Sequence, residues 1–248
     1  MRCFVLNDYV IEIFSSIQGE GKYVGCRQAF VRFADCNLRC AYCDTDYRRH
    51  ETCSVETHAG SMRFDTIPNP IALETLVATV KRLMSEVPTH SLSFTGGEPL
   101  LHTQFIKKAA DRLDGVKIFL ETNGTLPGEL ERVIDVVDIL SVDIKMPRSI
   151  GGTDLFDAHR EFLKIARRKE YFIKLIVDGE MTPEEFMAAV EFIAAEDRNA
   201  LFILQPVTPV GIIRAARPEM ILRYHMEAAK RLSDVRVIPQ THRLTSVF

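Results

Sequence analysis

Ser91-Leu92-Ser93-Phe94-Thr95-Gly96-Gly97-Glu98-Pro99 is an extended run that ends abruptly on two glycines and a proline. Beyond it, residues 103–113 carry apolar side chains at helical spacing, and 116–121 read as a second strand. The same unit recurs in both directions. Upstream, 28–34 is a short β-type run, and 71–86 sets Leu73, Leu76, Val77, Val80, Leu83 and Met84 on one helical face. Downstream, strands are predicted at 138–144, 171–177, 201–205 and 235–238. Helices are predicted at 127–136, 155–168, 183–195 and 218–232. Thr182 with Glu185 three residues on forms a capping box for the 183–195 helix.

About six strand-then-helix units with short connections give an α/β fold with parallel strands. The strands are mostly apolar on both faces, as buried parallel strands are. Six units are too few for a closed eight-fold barrel, which leaves an open or partial barrel or a doubly wound sheet. In each of these, ligands gather at the C-terminal ends of the strands. The unusual residues fall there: 36–43, Gly96 to Pro99, Glu121-Thr122-Asn123-Gly124, Asp143 with Lys145, and Gln205-Pro206. One stretch, 46–70, reads as an irregular insertion on the surface, and 1–248 as one core domain.

The 248 residues are 46% hydrophobic and 26% charged, with 31 basic and 34 acidic side chains and a formal charge of −3. That balance argues against a protein held on nucleic acid by a basic surface. No run of about 18 apolar residues suggests a membrane span, and the N-terminal stretch reaches Asp8 too early for a secretory signal. A cytoplasmic protein is expected. Three of the six cysteines, Cys36, Cys40 and Cys43, lie within eight residues, and none follows Cys53. A local cluster of this kind points to metal binding or redox chemistry rather than a disulfide framework. Three soft thiolate ligands leave one position of an iron–sulfur cluster open. The alternative is a structural zinc completed by His50, Cys53 or His58.

Cys36-Asn37-Leu38-Arg39-Cys40-Ala41-Tyr42-Cys43, a C-x3-C-x2-C spacing, resembles the cluster loop of the radical S-adenosylmethionine (SAM) superfamily. Thr95-Gly96-Gly97-Glu98-Pro99 resembles that family's GGE segment. The resemblance implies a partial (β/α)6 TIM-like barrel with a C-terminal extension. It also implies a 4Fe–4S cluster on Cys36, Cys40 and Cys43, and SAM cleaved to a deoxyadenosyl radical. Tyr42 would then pack near the adenine, and the Gly96-Gly97-Glu98 segment would accept the SAM ammonium, with Gly97 and Glu98 among the cofactor contacts. A finer resemblance, to the 7-carboxy-7-deazaguanine synthase family, is carried by Phe14-Ser15-Ser16-Ile17-Gln18-Gly19-Glu20-Gly21, Phe30-Val31-Arg32-Phe33, Cys43-Asp44-Thr45 and Gln240-Thr241-His242. It implies Mg2+-assisted ring contraction of 6-carboxy-tetrahydropterin with loss of ammonia, a step toward queuosine.

Each implied role has a physical reading. Arg32, in an apolar strand, needs an anion, either the substrate carboxylate or an internal partner. Glu20 accepts from a pterin amino group or ring N–H, or faces solvent in a turn. Ile17, Gln18 and Gly19 would offer backbone groups to the same ring. Thr45 matches an Mg2+ ligand, with substrate oxygens and water completing the shell; otherwise it is a capping residue. Thr95 and the chain end, Phe248, are expected at the substrate. Asp44, Gly97, Asp143, Ile144, Lys145, Gln205, Pro206, Val207 and Thr208 are expected at the cofactor. Lys174 stands apart as a lysine inside a strand, equally consistent with a site residue and a paired barrel lysine. Cys3, Cys26 and Cys53 read as ordinary thiols. A flavodoxin or ferredoxin as electron donor and a homodimer are implied by the resemblance alone. An activase that makes a glycyl radical on a partner shares the cysteine loop but leaves Gln18 to Gly21 and Arg32 without a role.

Overall fold

The computed structural model describes residues 6–247. Ten strands form one sheet: β1 (Val10–Ile17), β2 (Arg27–Phe33), β3 (Thr52–Glu56), β4 (Phe64–Pro68), β5 (Ser91–Gly96), β6 (Ile118–Thr122), β7 (Ile139–Asp143), β8 (Glu170–Val177), β9 (Leu201–Pro206) and β10 (Asp234–Val237). Their order is β10-β9-β8-β7-β6-β5-β2-β1-β3-β4. From β2 to β10 every pairing is parallel. Helices α1 (Leu73–Glu86), α2 (Thr103–Ala110), α3 (Pro127–Val133), α4 (Phe156–Ala166), α5 (Pro183–Asp197) and α6 (Pro218–Ala229) fill the connections between consecutive parallel strands. A short α7 (Thr241–Thr245) follows β10. The six expected units are present, and the Thr182 capping box caps α5.

Two elements depart from the sequence expectation. Val10–Ile17 is a full strand, antiparallel to β2. The 46–70 stretch is not irregular: β3 and β4 form an antiparallel hairpin that extends the sheet past β1. Its strands lie near an edge, where Cys53 and Val55 turn into the core while Thr52 stays in solvent. Pro68 ends the outermost strand, where a missing N–H costs no ladder bond.

Side chains alternate across the parallel strands. One set, including Val31, Phe94, Leu120, Val142, Ile173 and Leu204, packs with Leu76, Phe105, Leu130, Phe162 and Phe186 of the helices in the main core. The opposite set lines the concave face. At the N-terminal end of the strands it is a small apolar plug of Phe119, Ile139, Phe172, Leu201 and Ile203. Toward the C-terminal end it turns polar: Arg32, Thr95, Glu121, Asp143, Lys174 and Gln205. Both faces are therefore not apolar as expected. Gln28, Ser91, Ser93 and Ser141 are buried on the concave side as well. An incomplete barrel has too few strands to fill its axis with packed layers, so this face is occupied by a hydrogen-bonded site. No helix among the described residues is long and apolar enough to cross a membrane.

Candidate active site

The polar end of the concave face opens into a cavity of about 790 Å3. Of the residues singled out in the sequence, Ile17, Gln18, Gly19, Glu20, Arg32, Cys36, Cys40, Tyr42, Cys43, Asp44, Thr45, Thr95, Gly97, Asp143, Lys145, Gln205, Val207 and Thr208 line it. Glu98, Ile144 and Pro206 do not. Phe248 lies outside the described residues.

The cysteine loop leaves β2 through Asp35, a non-glycine residue at φ 61°, and is tied down along its length. Asp35 N–H donates to the Tyr47 carbonyl at 2.7 Å, and Ala41 N–H to the Ser149 carbonyl at 2.8 Å. Gly97 has no side chain because none fits: a Cβ there would stand 1.8 Å from the Asp35 carbonyl oxygen. That approach lets Glu98 N–H donate to the same carbonyl at 2.8 Å. Of the Gly96-Gly97-Glu98 segment, the two glycines line the cavity, while the Glu98 side chain is fully buried beneath the loop. It accepts from Leu100 N–H at 3.0 Å, the Thr122 hydroxyl at 2.9 Å and Asn123 N–H at 2.8 Å. Asn123 in turn donates to Asn37 at 2.8 Å, and Asn37 to Thr125 at 2.9 Å. Glu98 thus joins three strand-end loops and does not reach the cavity. Ile144 is packed in the core, with its N–H on the Lys174 carbonyl.

The donor set fits an iron–sulfur cluster. The three thiols face the cavity, and burial pushes Cys36 up to about 11 and raises Cys40 also. Such thiols become thiolates when a cationic centre compensates the charge. The residues that would complete a zinc site are engaged elsewhere. Cys53 is buried in β3, His50 pairs with Asp46 at 3.3 Å, and His58 with Glu86 at 3.5 Å. Among the described residues no three His, Cys, Asp or Glu side chains gather around a single ion.

Charged side chains interlock across the cavity. Lys145 Nζ donates to Asp143 Oδ2 at 2.8 Å and lies 5.4 Å from the centre of the Tyr42 ring. Lys174 Nζ donates to Glu20 Oε2 at 2.7 Å, and Gln240 Nε2 holds Glu20 Oε1 at 2.8 Å. Burial acts to raise the Glu20 carboxyl, but the Lys174 ammonium and these hydrogen bonds outweigh it and hold it at about 2. Asp143 is lowered in the same way by Lys145 and Lys174, against burial. Glu121, with the weakest compensation, is raised by burial. Two acceptors lining the cavity, Asp143 Oδ1 and Gln205 Oε1, are buried without a hydrogen-bond partner. Buried oxygens of this kind call for a donor from a bound molecule.

Arg32 is half-buried rather than buried. Its Nε donates to Glu12 Oε1 at 2.6 Å, so the internal partner exists, while the guanidinium still lines the cavity. The expected backbone groups of the Gln18 loop are partly engaged. Gln18 N–H donates to the Cys26 carbonyl, the Gln18 carbonyl accepts from Gly25, and the Gly19 carbonyl accepts from Thr241 at 2.8 Å. The Gln18 side chain instead bridges Glu121 and Gln28, each at 2.9 Å, and accepts from Glu20 N–H at 2.9 Å. Thr45 is half-buried at the cavity wall. Asp44 is held by Arg243 of α7.

Glu12, Glu121, Gln240, His242 and Arg243 also line the cavity and were not singled out as site residues. Glu12 carries no local signal, since it meets Arg32 only through the register of the β1–β2 ladder. Glu121 closes an otherwise apolar strand, and Gln240 and His242 sit in a quoted motif.

The Radical SAM superfamily matches residues 31–203. A 7-carboxy-7-deazaguanine synthase of Geobacter sulfurreducens is 42% identical over 236 residues, covering 94% of each chain. The chain belongs to the 7-carboxy-7-deazaguanine synthase family of radical SAM proteins. A synthase of the same name from Archaeoglobus fulgidus is 34% identical, covering 96% of this chain and 98% of the relative. The crystal structure of QueE from Escherichia coli shares the fold, with a TM-score of 0.60 at 21% identity and 95% coverage of each chain. A radical SAM methyltransferase from Sphaerobacter thermophilus has a TM-score of 0.57 at 12% identity, covering 92% of this chain and 77% of that one.

Proposed function

We propose that this chain converts 6-carboxy-5,6,7,8-tetrahydropterin to 7-carboxy-7-deazaguanine and ammonia, as a radical SAM enzyme. The observation that carries the reading is a cavity with three cysteine thiols on one wall and a fixed carboxylate, Glu20, on another. Full-length relatedness to synthases of that name supports it. A 4Fe–4S cluster held by Cys36, Cys40 and Cys43 would supply an open iron for SAM and the electron that cleaves it.

The chain's own residues bind, orient and shield. Gly97, Asp143, Gln205, Val207 and Thr208 form the cofactor side, with Tyr42 and Lys145 near the cysteine loop. Asp143 Oδ1 and Gln205 Oε1, which take no hydrogen bond from the protein, accept hydrogen bonds from its hydroxyl or amino groups. Glu20 and Thr95 form the substrate side, where an ionised Glu20 accepts from the pterin ring. Arg32 offers its terminal nitrogens to the substrate carboxylate while Glu12 holds its Nε. Thr45 contributes a hydroxyl to Mg2+, whose remaining ligands are substrate oxygens and water. Glu98 keeps the loops in place from beneath.

The same reading takes 1–248 as one core domain, a homodimer as the assembly, and a flavodoxin or ferredoxin as the electron donor. Anaerobic reconstitution followed by turnover tests it. SAM, Mg2+, a reductant and the carboxypterin are expected to yield the deazaguanine chromophore and ammonia in equal amounts. SAM cleavage without either product would overturn the reading and favour action on another substrate.

A further inference from the structure

Lys174 is a buried cation on the concave face of β8, only 4% exposed, and it lines the cavity. In the β7–β8 ladder it stands directly opposite Asp143. Its Nζ lies 3.4 Å from Asp143 Oδ1 and 2.7 Å from Glu20 Oε2. These carboxylates come from different places. Asp143 ends a central strand on the cofactor side, whereas Glu20 sits on the loop after β1, on the substrate side. A lysine serving only to neutralise its ladder neighbour would have no need of Glu20, and Lys145 already bonds the other Asp143 oxygen. The second contact orders a loop residue 154 positions away in sequence. With Gln240 on Oε1, it fixes both Glu20 oxygens at the cavity wall.

We propose that Lys174 is a positioning residue that holds Glu20 as an ionised, oriented acceptor for the substrate ring and ties it to the cofactor-side carboxylate Asp143. This rests on the functional reading above. The charged groups facing Lys174 are Glu20, Asp143 and, from β6, Glu121, with Lys145 behind Asp143 and His242 of α7 beside Glu20. Without the Lys174 ammonium, Glu20 remains desolvated but loses its counter-charge. Its carboxyl then rises from far below neutrality into the range where it takes up a proton as pH falls.

The test is equilibrium binding of 6-carboxypterin, followed by its own fluorescence, to the cluster-loaded enzyme without reductant between pH 5 and 7.5. Wild-type affinity is expected to stay flat across this range. Lys174→Met is expected to bind about tenfold more weakly at pH 7.5 and to lose about tenfold more per unit below about pH 6. Lys174→Arg is expected to restore the flat profile. The double variant Glu20→Gln/Lys174→Met buries no unpaired charge of this pair and serves should the single variant not fold. It is expected to bind as Glu20→Gln alone does. A Lys174→Met protein with the wild-type affinity and profile overturns the proposal. So does a uniform loss that Lys174→Arg fails to recover, or a further tenfold loss in the double variant. Absence of pterin binding by the wild type would instead overturn the functional reading, and the role of Lys174 with it.

Discussion

Replacing Glu98 by Gln separates two contributions of this buried carboxylate. The first is geometric. Oε1 accepts from Leu100 N–H and the Thr122 hydroxyl, and Oε2 from Asn123 N–H. An amide keeps one acceptor oxygen and turns its NH2 toward one of these donors. Even a protonated carboxyl keeps acceptor capacity on both oxygens, whereas the amide nitrogen accepts nothing, so one buried N–H loses its partner at a cost of about 1–3 kcal/mol. The second contribution is electrostatic. Burial pushes the Glu98 carboxyl up to about 7, against an ordinary 4.5, although the Asn123 and Leu100 N–H groups and the Thr122 hydroxyl pull it down. The native chain then keeps a proton that the unfolded chain releases. This stability is fully present below pH 4.5 and is lost as pH rises through about 7. At about 1.4 kcal/mol per pKa unit, its ceiling is about 3 kcal/mol. Gln has no such proton. Glu98→Gln is therefore expected to be less stable than wild type by about 1–3 kcal/mol relative to the wild-type reference at low pH, with the deficit shrinking to about zero or reversing by pH 8. Denaturant unfolding of the metal-free chain at pH 5 and pH 8, followed by circular dichroism, reads the difference directly. A deficit identical at the two pH values would refute the raised carboxyl, and no deficit at pH 5 would refute the three-donor geometry.

Three further substitutions report on the site itself. Cys40→Ala is expected to abolish SAM cleavage while circular dichroism stays unchanged; surviving cleavage would remove Cys40 from the cluster. Gly97→Ala would drive a Cβ to 1.8 Å from the Asp35 carbonyl oxygen, so the cysteine loop must shift. Iron content after reconstitution is expected to fall well below the roughly four per chain of an intact cluster, and full loading would show that the loop yields without penalty. Arg32→Ala is expected to weaken carboxypterin binding about 10- to 100-fold, the worth of a charge-assisted contact, with SAM affinity unchanged. Equal losses for both ligands would make its pair with Glu12 structural.

The parallel core was legible because its signals are local. Alternation, helical spacing and the Thr182–Glu185 cap each need only a few neighbouring residues, and the strand-end motifs followed from them. β1 and the β3–β4 hairpin were not. Cys53 and Val55 alternate with Thr52 and Ser54, but the surrounding charges and the Asn69-Pro70 ending hide so short a period. Missing β1 also hid Glu12, which meets Arg32 only through cross-strand register. Periodicity put the cysteine loop and the Gly96-Gly97 turn at strand ends, where the structure has them, yet nothing local told which way Glu98 points. Glu98 precedes Pro99 and accepts from Leu100 N–H as a helix N-cap does, a role that glutamate takes too rarely to be expected from the sequence. Lys174 was ambiguous for a deeper reason. A lysine in an apolar strand signals that an acid must approach it, but not whether that acid comes from the neighbouring strand or from a distant loop.

Both turn out to approach it, and that explains how the domain tolerates five ionisable groups in one layer, the two lysines buried and the three carboxylates half-buried. Glu20, Glu121 and Asp143 face Lys145 and Lys174, and each ammonium contacts at least one carboxylate. Buried charges are tolerable when opposite charges and hydrogen bonds answer them together, and costly when one member is removed. The excess of carboxylates falls on Glu121, the member raised toward its neutral form. Below this layer on the same strands the concave face is the apolar plug around Phe119 and Phe172. Behind it lies the helix-packed core. Polar burial is thus confined to the strand ends, where the cavity admits ligands, and the residues beneath are free to supply the stability that the site consumes.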